Sequence, residues 1–207
     1  MWLKIVLGMV AGYLLGNLNG AVSISTLMND DVRSHGSGNA GLTNFIRNYG
    51  TAKALYVVLV DALKAVLSCL IMGFLLEEEG LFLEGKVLGG VAVMLGHVFP
   101  ILLGFKGGKG ILSGLFIALT VDWRIGLICA ACFFIVYFAT RYVSLSSICG
   151  AIGFGVGFVV FHFGNWTVVI CGLFMMALTI FMHRSNISRL LSGQEVKTDL
   201  FKKKGNL

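Results

Sequence analysis

Residues Leu81–Gly110 read LFLEGKVLGGVAVMLGHVFPILLGFKGGKG, an apolar run from Leu81 to Leu103 that passes into a glycine-rich end. Pro100, the only proline of the chain, lies shortly before the change of character. The run is long enough to cross a bilayer as a helix, which takes about 20 mostly apolar residues. Its end sets four glycines around Lys106 and Lys109. Glycine lets backbone N–H groups turn toward a ligand and the lysines add positive charge, which suits a phosphate or another compact anion. A Walker A loop needs Ser or Thr after its lysine, and Gly110 stands there instead. A glycine-rich membrane turn with two topology-setting lysines has the same composition, so this stretch leaves both readings open.

Outward from it, the whole chain has the same solvent. With 57% hydrophobic and 13% charged residues and a mean hydropathy of +0.89, the 207 residues cannot hide their apolar surface in one soluble core. An all-α integral membrane protein is expected. Apolar runs at Leu3–Leu27, Ala52–Leu76, Leu81–Leu103, Ile111–Val121, Ile125–Ala139, Val143–Phe163 and Trp166–Met182 give a bundle of seven candidate spans, the fourth and fifth of them short. The first is too long for a signal peptide and lacks an A-x-A cleavage pattern. One domain over residues 1–193 and a polar, basic, solvated tail over 194–207 complete the expected organisation.

Seven spans place Met28–Thr51, Gly104–Gly110, Thr140–Tyr142 and the segment from His183 on one side. Counting Lys53 at the entry of the second span, that side carries 12 basic residues against three, Lys4, Lys86 and Arg124, on the other, which also holds Glu77–Glu79, Glu84 and Asp122. The positive-inside rule then makes the first side cytoplasmic, with the N-terminus outside and the C-terminus inside. The five cysteines all fall within apolar spans. Cys129 and Cys132 have ligand-like spacing but no second pair, so packing is expected of them and no metal.

In chain order, Gly8, Gly12, Gly16 and Gly20 form a stripe on one helix face that allows a second helix to come close. Asn17 and Asn19 follow, as cavity-lining or interfacial residues. The loop from Asn29 to Thr51 frees its backbone at Gly36, Gly38 and Gly41. Ser37, Asn39, Thr43 and Asn44 supply hydrogen-bonding groups, and Arg47 a two-pronged fork for phosphate oxygens. Thr43 or Asn44 is expected to cap one short helical turn ending at Gly50, with Phe45, Ile46 and Tyr49 holding the loop against the membrane.

Asp61 and Lys64 lie one turn apart inside the second span. Each charge there costs about 2.5–3.5 kcal/mol on insertion scales, so they read as a mutual pair, structural or bracing a polar cavity. Ser144 or Ser146, after Arg141, can cap the next helix or donate to an anion at its start. Gly153 and Gly157 repeat the close-packing spacing. His183, Arg184, Asn186 and Arg189 form a basic helix end. Lys202–Lys204 add attraction to anionic lipid.

Six blocks carry a resemblance. G-S-G-N-x-G-x-T-N-x-x-R (Gly36–Arg47), D-x-x-K (Asp61–Lys64), G-H-x-x-P (Gly96–Pro100), G-F-K-G-G-K-G (Gly104–Gly110), R-Y-V-S-L-S-S (Arg141–Ser147) and H-R-x-N-I-x-R-L-x-x-G (His183–Gly193) resemble, in order, the bacterial acyl-phosphate:glycerol-3-phosphate acyltransferases, the PlsY family. The resemblance implies a multi-pass inner-membrane enzyme of seven helices with cytosolic motifs. Acyl phosphate and glycerol 3-phosphate would be its substrates, lysophosphatidic acid its product, and membrane lipid its surroundings. Site roles carry over to Ser37, Arg47, Lys109, His183 and Asn186, with Lys106, Asn39 and Asn44 as neighbours. The chain departs from the family pattern at Leu42, Ala65, Ile111–Ser113 and Met182, none of them a polar group assigned to phosphate.

The residues agree with that implication. A basic, glycine-rich pocket at the membrane face, including Gly107, Gly108 and Gly110, suits one reactant from water and one from the bilayer. No cofactor, metal or nucleic acid is expected. An acyl-CoA-dependent acyltransferase would show H-x-x-x-x-D, and the residues at that spacing are Ala40, Leu102, Thr167 and Ser188. The other class to weigh is an organic-anion or phosphate transporter.

Overall fold

The computed structural model describes residues 1–200, and these contain helices and no strand. The first apolar run is a bent pair where one helix was expected. Helix α1 (Trp2–Gly16) meets α2 (Gly20–Thr26) at 46°. The break belongs to two asparagines. Asn19 is extended and its side chain accepts from Val22 N, starting a new helix, while Asn17 Oδ1 accepts from Leu102 N at 3.0 Å.

Next come α3 (Leu42–Tyr49), α4 (Thr51–Leu75), α5 (Phe82–Val98), α6 (Ile111–Val121), α7 (Trp123–Thr140), α8 (Val143–Phe161), α9 (Trp166–Met182) and α10 (Arg184–Leu191). Four of these, α4, α5 with its continuation to Leu103, α7 and α8, are long and apolar enough to cross a membrane. The count reaches six if α1 with α2, and α9 with α10, which meet at 55°, are each one crossing. Helix α6 is an apolar helix of 11 residues. The run expected at Ile125–Ala139 begins earlier, because Asp122 caps α7 through Arg124 N at 3.0 Å.

α5 is the most buried of the long spans and packs against α1, α4, α6 and α9. Val87, Val93, Val98, Ile117, Phe158 and Met175 are fully buried around it. Its approach to α1 is backbone to backbone. A Cβ on Gly16 would stand 2.4 Å from Val93 O, and one on Gly96 2.1 Å from Tyr13 O. The glycine stripe is therefore a contact surface, as expected, and Gly153 and Gly157 likewise face Cys132 and Ile125 of α7.

Polar contacts gather at the two ends. At one, Lys4 pairs with Glu78 and Glu79 at 3.0 Å each, so the acidic loop is tied to α1. There too Glu84 accepts from Asn165 at 2.7 Å, and Lys86 Nζ donates to Thr120 O and Val121 O. The other end carries the loops around Ser37 and Lys109, the start of α8, α10 and the segment after it. A second small core of Ala21, Val32, Ala40, Phe45 and Val57 folds the Ser37 loop onto α4. Phe45, expected to face the membrane, is fully inside it.

Candidate active site

The loops of that second end enclose a cavity of about 580 Å3. One part of its wall is polar: Gly36, Ser37, Asn39, Asn44, Arg47, Lys109, Gly110, Ser144, His183 and Asn186. Another is apolar, from Leu112 and Leu115 of α6, Ala130, Phe133 and Phe134 of α7, and Val143 of α8. Residues separated by more than a hundred positions thus meet around one space.

Not every expected site residue reaches it. Gly38 and Lys106 are exposed and line no part of the cavity. Gly107 and Gly108 lie behind it, packed on His97: a Cβ on Gly107 would be 2.0 Å from His97 O, and Gly108 N donates to that same carbonyl at 3.1 Å. Their small size is what the loop uses, and the Gly108 N–H is already spent. Gly110, in contrast, borders the cavity in a left-handed conformation, φ +85°, that favours glycine.

Asn44 organises the Ser37 loop. It sits inside α3, whose cap is Gly41, so the expected Thr43 or Asn44 cap is not formed and the helix is two turns long. Its Oδ1 accepts from Ser37 N at 3.0 Å and its Nδ2 donates to the carbonyls of Val32, His35 and Asn39 at 2.9–3.1 Å. His35 Nε2 is held by the Asp30 carboxylate at 2.9 Å. Ser144 and Ser146 do not cap α8 either; Ser146 Oγ donates to Tyr142 O, and Ser144 stands in the cavity wall.

Lys109 Nζ donates to Asn186 Oδ1. Burial pushes the Lys109 ammonium down to about 8, with Arg189 and Arg47 repelling it and Glu195 attracting it. His183, at the bend between α9 and α10, is buried with Nδ1 2.8 Å from Thr179 O. A carbonyl only accepts, so Nδ1 carries the hydrogen and Nε2 is left as the basic nitrogen.

Four residues of the site escaped sequence reasoning. Glu195 accepts from Asn186 Nδ2 at 2.8 Å and Arg189 Nε at 2.7 Å, its side chain 8% exposed. Thr198 Oγ1 accepts from two nitrogens of the Arg47 guanidinium, and its backbone joins Arg141 O and Tyr137 Oη. The segment expected to be solvated from Gln194 is therefore folded over the cavity at Glu195 and Thr198; Lys202–Lys204 lie outside the described residues. Arg189 was expected only as part of a basic helix end. His97 lies under the glycine loop, where Asp61 and Lys64 meet it. Lys64 Nζ is 2.8 Å from Asp61 Oδ1 and 2.8 Å from His97 Nδ1. Among the described residues no group of His, Cys, Asp and Glu is placed to hold a metal.

Comparison with known proteins places this arrangement. The family model described as glycerol-3-phosphate acyltransferase matches residues 6–193. Glycerol-3-phosphate acyltransferase of Thermoanaerobacter sp. (strain X514) is 39% identical over 193 residues, 93% of this chain and 94% of that protein. That of Prochlorococcus marinus (strain MIT 9215) is 38% identical over 195 residues, 93% and 96% of the two chains. Crystal structures of PlsY (YgiH), an integral membrane glycerol 3-phosphate acyltransferase, superpose with TM-scores of 0.86 for its glycerol 3-phosphate form and 0.83 for its lysophosphatidic acid form. Identity is 32% and 31%, over 96% and 95% of this chain and 99% and 96% of those. Matched along its length by the family model, by its relatives and by the fold that gathers these loops, the chain belongs to the glycerol-3-phosphate acyltransferase family.

Proposed function

We propose that this protein moves a fatty acyl group from acyl phosphate to the sn-1 hydroxyl of glycerol 3-phosphate, releasing lysophosphatidic acid and inorganic phosphate. The observation that carries the donor class is the cavity itself. Its basic end, with Arg47, Lys109 and Arg189, suits phosphate, and its apolar wall on α6 and α7 suits an acyl chain. No histidine of the chain has the aspartate at the spacing that acyl-CoA-dependent enzymes use.

In this reading Arg47 and Lys109 hold phosphate, with Gly36, Asn39, Asn44, Gly110 and Ser144 shaping the pocket and the Ser37 hydroxyl donating to substrate. Asn186 positions Lys109. The hydroxyl of glycerol 3-phosphate attacks the acyl carbonyl, the C–O bond to phosphate breaks, and His183 Nε2 takes the hydroxyl proton. Phosphate is a good leaving group in a mixed anhydride, so the enzyme needs no nucleophile of its own.

The membrane arrangement belongs to the same proposal. α6 runs from Gly110, at the cavity, to the Thr120 and Val121 carbonyls, which Lys86 reaches from the opposite end. That supports counting it as a seventh crossing. The 12-to-3 distribution of basic residues supports a cytosolic cavity and C-terminus, an outside N-terminus and residence in the bacterial inner membrane. Residues 1–193 form the catalytic unit, closed by the Glu195–Thr198 segment.

Purified protein incubated with labelled glycerol 3-phosphate and palmitoyl phosphate should make lysophosphatidic acid, and palmitoyl-CoA should not replace the phosphate donor. An organic-anion carrier would move substrate across a vesicle and make no product. Product formed equally well from palmitoyl-CoA would remove the donor assignment.

A further inference from the structure

Lys64 Nζ has three acceptors within 2.8 Å: Asp61 Oδ1 at 2.8 Å, Leu18 O at 2.7 Å and His97 Nδ1 at 2.8 Å. An ammonium has three hydrogens, and these three partners, all closer than Gly16 O at 3.4 Å, are the ones that take them. His97 Nδ1 is therefore an acceptor, and the ring hydrogen sits on Nε2. Asp61 fixes the lysine in turn and accepts from Gly20 N at 3.2 Å, so the chain of contacts is anchored at the α1–α2 break.

Nε2 is the ring nitrogen turned away from Lys64, and Gly108 packs against it. His97 lines the cavity although its side chain is only 4% exposed, and among the described residues nothing accepts from Nε2. A Cβ on Gly108 would lie 2.2 Å from this nitrogen, so a larger residue in the loop would displace the ring. His183 is the reverse case, with its hydrogen on Nδ1 and a bare Nε2. The two cavity histidines thus present opposite functions, one donor and one acceptor.

We propose that His97 is a further substrate-binding residue, its Nε2–H donating to a phosphate oxygen of the bound substrate, with Lys64 and Asp61 as the positioning residues that hold the hydrogen there. The inference rests on the acyltransferase reading. The phosphate belongs either to glycerol 3-phosphate or to acyl phosphate, and the two Michaelis constants distinguish them.

The test uses the full-length protein in detergent and the pair His97→Asn and His97→Gln. Asparagine keeps an acceptor near the Nδ1 position for Lys64 but has no donor at Nε2, whereas the glutamine amide reaches the Nε2 position. His97→Asn should raise the Michaelis constant of one substrate by about tenfold to a hundredfold, the size of a lost hydrogen bond to a charged group, and His97→Gln should recover most of it. Unchanged constants in His97→Asn, equal damage in both variants, or a fall in kcat alone would overturn the assignment. If neither variant folds, nitrogen-15 histidine spectra of the wild type decide. They should show His97 with hydrogen on Nε2 and a shift of that signal on adding glycerol 3-phosphate or palmitoyl phosphate. Hydrogen on Nδ1, or no shift with either, would sink the proposal. Wild-type turnover is measured alongside, so loss of the acyltransferase reading shows separately, as absence of product.

Discussion

Asn186 donates through Nδ2 to Glu195 Oε1 at 2.8 Å while its Oδ1 accepts from Lys109. One amide thus holds a cation on one side and an anion on the other, which only a group with both a donor and an acceptor can do. Asn186→Asp replaces the donor with a second carboxylate facing Glu195 and gives Lys109 a permanent counter-ion. We expect kcat/KM for glycerol 3-phosphate to fall by about a hundredfold, from a lost hydrogen bond to a charge and an added repulsion. Steady-state kinetics on Asn186→Asp against Asn186→Ala check this, the aspartate being the worse.

Lys109 is expected to set the alkaline limb of substrate binding. Its free-state value of about 8 comes first from burial. A bound phosphate dianion favours the protonated lysine, so above that pH binding must also take up a proton. Affinity is full below about 8 and falls as pH rises through it. Below about 6 the phosphate itself gains a proton, so the lowest Michaelis constant is expected between roughly pH 6 and 8. Lys109→Arg, charged at all these values, should flatten the alkaline limb; a wild-type constant that stays flat up to about pH 10 would refute the assignment.

The Arg47 guanidinium is already oriented, its nitrogens meeting Thr198 Oγ1. Arg47→Lys keeps the charge and loses the planar fork, so it should raise the Michaelis constant for a phosphate substrate by about tenfold or more. Thr198→Val, equal in shape but without the acceptor, should give a smaller rise. Arg47→Lys and Arg47→Ala both at wild-type values would mean that the phosphate lies elsewhere.

Packing offers a prediction independent of chemistry. Gly16 and Gly96 let α1 and α5 touch through their backbones, and a methyl on Gly16 has Val93 O at 2.4 Å. Gly16→Ala should destabilise the fold by about 1–3 kcal/mol, as overpacking does. Thermal unfolding in detergent measures it, and an unchanged midpoint would show that the helices can part at no cost.

Hydropathy carries most of this fold because a bilayer demands apolar length, and the long helices α4, α5 and α8 follow their runs closely. The bend at Asn17–Asn19 is invisible to it, since apolar residues continue on both sides and the break depends on single side-chain bonds, whereas the bend at His183 falls where the apolar run ends at Met182. The site divides in the same way. Ser37, Arg47, Lys109 and Asn186 stand in loops whose polar composition marks them, and the structure brings them to one cavity. His97 stood inside an apolar run, where a lone histidine reads as packing, and only the fold shows Lys64 beneath it. Glu195 and Thr198 looked solvated because their burial comes from partners at Asn186, Arg189 and Arg47, and local composition holds no trace of that closure.

The position of Ser37 bears on whether the acyl group ever rests on the enzyme. A serine nucleophile needs a base within hydrogen-bond reach. Ser37 is placed by its backbone N–H on Asn44, and among the described residues no side chain bonds its hydroxyl. His35, its neighbour in sequence, has Nε2 on the Asp30 carboxylate, and His183 Nε2, left basic by the Nδ1 bond to Thr179 O, makes no hydrogen bond to the Ser37 hydroxyl. Direct transfer is therefore expected, with both substrates bound together and initial-rate lines that intersect. Ser37→Ala should lower kcat/KM by weakening a contact to substrate, by about tenfold to a hundredfold, and leave measurable turnover. Incubation with labelled palmitoyl phosphate alone should leave no label on the protein. An acyl group recovered on Ser37, with parallel initial-rate lines and no residual activity in Ser37→Ala, would establish an acyl-enzyme instead.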